Sequence, residues 1–233
     1  MDQASVSERA INLYNKAMDL WKTGMAFSDL PKDTVEVMKG YLKLAIQYAG
    51  CPYLDAEENL AEVYLFSSEN NLAMLHAKNA QQIEPNSFPA QFVRVMCIFD
   101  KVDFNKLRVG DFLSDFTGDW ADTIISSTFK GIFSSLYAGA QVVRKTSLND
   151  ELGKMVSIFH KTASSITSPH YFQYLCDRMF LIADVLKHVK SKKAAEVYKC
   201  ISDCPTTNLI LDDSEKQEIE DVKIKAEALA LIV

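Results

Sequence analysis

The sequence predicts an all-α protein assembled from antiparallel helix pairs. Three observations carry this reading. Turn residues are scarce, with 8 Gly and 6 Pro in 233 residues, whereas an all-β sandwich needs turn signals about every 8–12 positions. Apolar residues recur at spacings of three and four in one segment after another. Several of those segments open on Ser or Asp followed three residues later by an acid or its amide, the pattern that satisfies free N–H groups at a helix start. With 48% hydrophobic and 24% charged residues, the chain is neither collagen-like nor disordered, and its length allows one large domain or two small ones.

The elements follow in order. Ser5-x-x-Glu8 opens a first helix reaching Lys22, with Ala10, Leu13, Ala17 and Trp21 on one stripe. A loop holding Pro31 precedes a second helix, opened by Asp33-x-x-Glu36 and carrying Val37, Tyr41, Ala45 and Tyr48; Gly50-Cys51-Pro52 ends it. Asp55-x-x-Glu58 starts a third, with Leu60, Ala61 and Tyr64 inward. After a polar break at Ser67–Asn71 comes a fourth, bearing Ala73, Ala77 and Ala80 and stopping before Pro85. Small residues at this spacing let two helix backbones come close, and short-loop helix pairs in series are the mark of a helical repeat.

From Leu54 to Ser87 the chain resembles one tetratricopeptide repeat. Leu60, Ala61 and Tyr64 stand where that family's first helix has its large, small and aromatic packing residues. Ala73 and Ala80 stand at the small positions of its second helix, and Pro85 at the close of the unit. Glu57 departs from the family's usual Trp, and Ala77 from its usual aromatic. Ser7–Pro52 is similar to a looser copy with Ala10, Tyr14, Ala17, Tyr41 and Ala45, and 172–205 to a divergent one. The resemblance implies a right-handed solenoid of helix pairs with a divergent C-terminal helical bundle, whose first helices line a concave face that holds peptides or partner helices.

Beyond Phe88 the pattern is less regular. Phe92, Met96 and Phe99 fall at i, i+4 and i+7 of an apolar helix; 104–119 reads as a packed irregular connection, dividing 1–103 from 120–233. Trp120–Lys145 reads as one helix or two. A helix from Asn149 follows Ser147-x-x-Asp150, and a long one begins at Pro169 with Phe172, Leu175, Met179, Ile182 and Leu186 in line. A short helix carries Ala194 and Tyr198, and Ser214-x-x-Gln217 opens a final capping helix with Ile219, Val222, Ala226 and Leu229 inward.

The net charge of −6 argues against a nucleic-acid protein, which needs a basic footprint; Lys187, Lys190, Lys192, Lys193 and Lys199 read as a solvated face. No stretch holds the roughly 20 mostly apolar residues of a membrane span. The polar N-terminus and five cysteines, an odd number, point to reduced thiols in the cytoplasm. His76, His160, His170 and His188 stand apart from one another. Cys200 and Cys204 lie a turn apart without further ligands at metal spacing, and no phosphate-loop, dinucleotide or nucleophile-elbow pattern occurs. The expectation is therefore no cofactor, no metal and no enzyme activity.

Under the repeat resemblance, Asp55, Glu58, Glu62 and Leu65 would line the groove of the best unit and Phe92, Met96 and Phe99 an apolar anchor beside it. The carboxylates would favour a basic or amphipathic protein or peptide. Against this, the acids read as solvated surface and the Phe/Met row as core. Two other readings stand beside the scaffold: an architectural subunit of an oligomer, and an all-α ligand-binding protein or enzyme with its pocket among Trp120, Phe129, Tyr137, Tyr171 and Phe172.

Overall fold

The computed structural model describes residues 5–21, 30–99, 145–188 and 191–232. Among the described residues there are nine α-helices and no strand. The chain divides into two compact units, Met1–Arg144 and Lys145–Val233. The expected connection at 104–119 and the helix expected over Trp120–Lys145 lie outside the described residues.

The first unit contains α1 (Glu8–Trp21), α2 (Lys32–Tyr48), α3 (Leu54–Phe66), α4 (Asn70–Ile83) and α5 (Phe88–Phe99). Neighbours in sequence pack on one another, and α3 also meets α5. Arg9 lies against Tyr48, and Lys16 against Tyr41, so α1 and α2 run antiparallel. The three residues between α3 and α4 leave room only for another antiparallel pair. At that turn the backbone enters the left-handed region at Ser68 (φ 62°), and Gly50 (φ 75°) ends α2 where a Cβ would be strained.

The alanine seam is as expected: Ala61 on α3 and Ala73, Ala77 and Ala80 on α4 have no exposed surface. Short side chains let the two rods nest, and the larger Leu60, Val63 and Tyr64 fill the space around them. Each large apolar side chain buried this way contributes roughly 1.5–3 kcal/mol. Glu57 is buried as well. Its carboxylate lies 2.6 Å from His76 Nδ1 and accepts from Asn79 at 3.3 Å, a polar clamp between α3 and α4. The imidazole also stacks on Tyr64, at 5.4 Å between centroids and 15° between planes.

Helix α2 differs from its expected stripe. The buried row is Val35, Met38, Leu42, Ala45 and Ala49, while Val37 and Tyr48 are exposed. Two apolar stripes run along this helix, and the outer one is the more conspicuous in sequence. The helix starts differ too. Ser7, not Ser5, caps α1 by accepting from Ala10 N at 3.2 Å, while its own N–H bonds to Ala49 O at 3.1 Å. Helices α2 and α3 begin one residue before the expected Asp, without a side-chain cap; Glu36 is engaged instead by Lys39, at 2.7 Å.

The second unit contains α6 (Lys145–Ala163), α7 (Pro169–His188), α8 (Lys193–Ser202) and α9 (Asp213–Leu231). Helix α6 begins before the expected Ser147–Asp150 start. Helix α7 begins at Pro169 as expected, and Ser168 caps it, accepting from Tyr171 N at 3.3 Å. The capping box of α9 is Asp212 with Glu215, in place of Ser214 and Gln217. The α7 row Phe172, Leu175, Met179, Ile182 and Leu186 is buried, and so are Ala194 and Tyr198 of α8. On α9, Ile219, Val222 and Ala226 are buried and Leu229 is half-buried. The Tyr198 hydroxyl donates to the buried carboxylate of Asp184, tying α8 to α7.

Candidate peptide-binding site

The first helices α1 and α3 meet through aromatic and amide side chains. Asn59 Nδ2 donates to Tyr14 Oη at 3.1 Å and to the Asp55 carbonyl at 2.7 Å. The Tyr14 ring lies 5.5 Å from Tyr53, and Trp21 meets Phe66 edge-on at 6.3 Å. These contacts require Tyr14, Asn59 and Phe66 to fall at matching levels of two adjoining helices, and the helical register of α1 and α3 supplies that match. Burial raises the Tyr14 phenol to about 12, with Asp55 and Tyr53 adding to the shift, so it stays a neutral hydrogen-bonding group at physiological pH.

Beside this pair, Glu58 on α3 accepts from the Ser87 hydroxyl at 2.6 Å. Ser87 also caps α5, accepting from Ala90 N at 3.1 Å. One hydroxyl thus joins the start of α5 to the middle of α3. Burial raises the Glu58 carboxyl to about 7, the Ser87 bond opposes the rise, and Asp55, Glu62 and Glu84 reinforce it. The outcome is an acidic row, Asp55 exposed and Glu58 half-buried, with Tyr14 and Asn59 alongside. It can accept hydrogen bonds from a peptide backbone and attract a cation.

The remaining residues expected to line a groove are not at the surface. Glu62 and Leu65 are buried, as are Phe92, Met96 and Phe99. The reason for α3 is that α2, α4 and α5 all pack against it, leaving little of its circumference open beyond the first turns. The Phe/Met row therefore forms core. On α5, Arg94 Nη1 donates to Gln81 Oε1, and Gln81 Nε2 to Gln91 Oε1, each at 2.9 Å, a polar seam to α4 that spacing alone does not disclose.

In the second unit, Cys200 Sγ lies 3.2 Å from His160 Nε2, a pairing across 40 residues that the sequence does not signal. Burial raises Cys200 to about 12 and Cys204 to about 11, and holds Cys176 well above an ordinary thiol. Protonated and enclosed, these are poor nucleophiles and poor ligands. Among the described residues no group of three or more His, Cys, Asp or Glu side chains could hold a metal ion, and no helix is long and apolar enough to cross a membrane. Of the aromatics expected to line a ligand pocket, Phe172 is buried and Tyr171 exposed, while Trp120, Phe129 and Tyr137 lie outside the described residues. No family model, curated protein or solved structure matches this chain.

Proposed function

We propose that the protein is a non-enzymatic interaction scaffold of tetratricopeptide-like helix pairs, which holds a basic or amphipathic peptide along the face shared by α1 and α3. The observation that carries this reading is the Asn59–Tyr14 bond beside Asp55 and Glu58. It supports first helices set side by side, as in a stack of hairpins, with acceptors and carboxylates in one row. The buried Glu62, Leu65, Phe92, Met96 and Phe99 then form the platform beneath that row. The exposed Asp55 carboxylate favours Lys and Arg, and amide and phenol groups offer both donor and acceptor to an extended backbone.

Selection of a random peptide display library on the full chain tests this. The expected result is enrichment of positively charged peptides whose affinity falls at least tenfold in Asp55→Lys, with the unfolding midpoint unchanged. Enrichment of acidic peptides, or equal affinity for the variant, would count against the reading.

A further inference from the structure

We propose that the outer face of the α1–α2 hairpin docks an acidic amphipathic helix. This surface is separate from the α1–α3 face, and its partner has the opposite charge. The starting point is the second apolar stripe of α2. Val37, Tyr41, Leu44 and Tyr48 follow one another at helical spacing, yet Val37, Leu44 and Tyr48 are 49%, 38% and 36% exposed. Isolated apolar residues on a surface need no explanation, but a row over three turns is a face that a partner helix can cover.

A notch lies in the middle of that row. Gly40, between Val37 and Leu44, is half-buried, and a Cβ added there would meet nothing within 4 Å. Its φ is not in the left-handed region, so among the described residues neither the backbone nor a neighbour requires glycine. A gap at mid-helix, flanked by exposed Val and Leu, is what the close approach of a second rod requires.

The charge of the face selects the partner. The Arg9 guanidinium lies 3.7 Å from the centroid of Tyr48, and Lys16 Nζ 5.9 Å from that of Tyr41. Both cations are exposed, and no described carboxylate forms an ion pair with either. They stand seven residues apart on α1, about 10 Å along the edge of the stripe. The acids of the hairpin are Glu8 and Asp19, exposed on α1, Asp33 at the far end of α2, and Glu36, which is engaged by Lys39. A helix with apolar residues at i, i+4 and i+7 and carboxylates two turns apart would satisfy both the stripe and the cations. A second copy of the chain would set the same Arg9 and Lys16 edge against an identical face.

The test is selection on the full chain from a display library of helical peptides randomised along one face, counter-selected on Gly40→Leu, which fills the notch with a good helix former. Peptides with an apolar i, i+4, i+7 row flanked by Asp or Glu should be enriched. A synthetic copy of one should bind at least tenfold more weakly to Lys16→Glu and to Arg9→Glu, and nearly as well to Arg9→Lys, with unfolding midpoints checked for each. Neutral or basic peptides, or indifference to charge reversal, would overturn the proposal. So would binding to phosphatidylserine vesicles in place of peptide, or self-association of the chain that Gly40→Leu abolishes. Because the selected peptides are acidic here and basic at Asp55 and Glu58, failure of either surface is read separately from the other.

Discussion

The Ser87 hydroxyl donates to the Glu58 carboxylate across 2.6 Å, so the residue that caps α5 also anchors the middle of α3. Glu58 is raised by burial to about 7, against about 4.3 for an unperturbed Glu. Between those values the folded protein retains a proton that the unfolded chain has released. Stability from this group is therefore full at low pH and declines as pH rises to about 7, by on the order of 1–3 kcal/mol. Asp177 on α7 acts in the same sense: burial raises it to about 7 against Arg178 and Lys225. The double variant Glu58→Gln/Asp177→Asn should flatten the decline in denaturant midpoint between about pH 4 and 7; an unchanged pH profile would contradict the assignment.

The clamp of Glu57 with His76 and Asn79 spans the α3–α4 seam. Glu57→Ala leaves both half-buried partners without their acceptor, and should cost about 1–3 kcal/mol in urea unfolding at neutral pH. A loss below about 0.5 kcal/mol, the range of ordinary surface substitutions, would show that the clamp is not formed.

Gly40 lies inside α2 with open space at its Cβ position. Gly40→Ala should raise stability by about 0.5–1 kcal/mol through helix propensity and the reduced entropy of the unfolded chain. Destabilisation in thermal unfolding would mean that the space is filled.

Tyr198 and Asp184 join α8 to α7 in the second unit. Tyr198→Phe keeps the ring and removes the donor, so a buried carboxylate loses a bond at a cost of about 1–3 kcal/mol. Unfolding of the second unit at an unchanged midpoint would contradict this.

Most of the helix order was legible because packing imposes a period on the residues that supply it. The alanines of α4 and the long row of α7 are read directly from spacing and are buried as read. Helix α2 carries two apolar stripes, and composition does not say which is covered: Ala45 is buried as read, while Val37 and Tyr48 are exposed. The starts of α1, α2, α3, α6 and α9 differ from the sequence pattern because Ser, Asp and Glu recur at capping distance more often than they cap; Ser7 and Asp212 serve in place of Ser5 and Ser214. At the site, Asp55 and Glu58 were legible as acids on a first helix. The burial of Leu65, Phe92, Met96 and Phe99 depends on how many helices surround them. The Tyr14–Asn59 and Cys200–His160 pairs join residues 45 and 40 positions apart, and no local pattern encodes them.

A double-mutant cycle on Tyr14→Phe and Asn59→Ala, read by equilibrium unfolding, measures whether α1 and α3 adjoin. If α1 and α3 lie side by side and share one face, the two residues should couple by about 0.5–1.5 kcal/mol. Strictly additive effects would contradict the adjacency of the first helices, and with it the peptide-holding face.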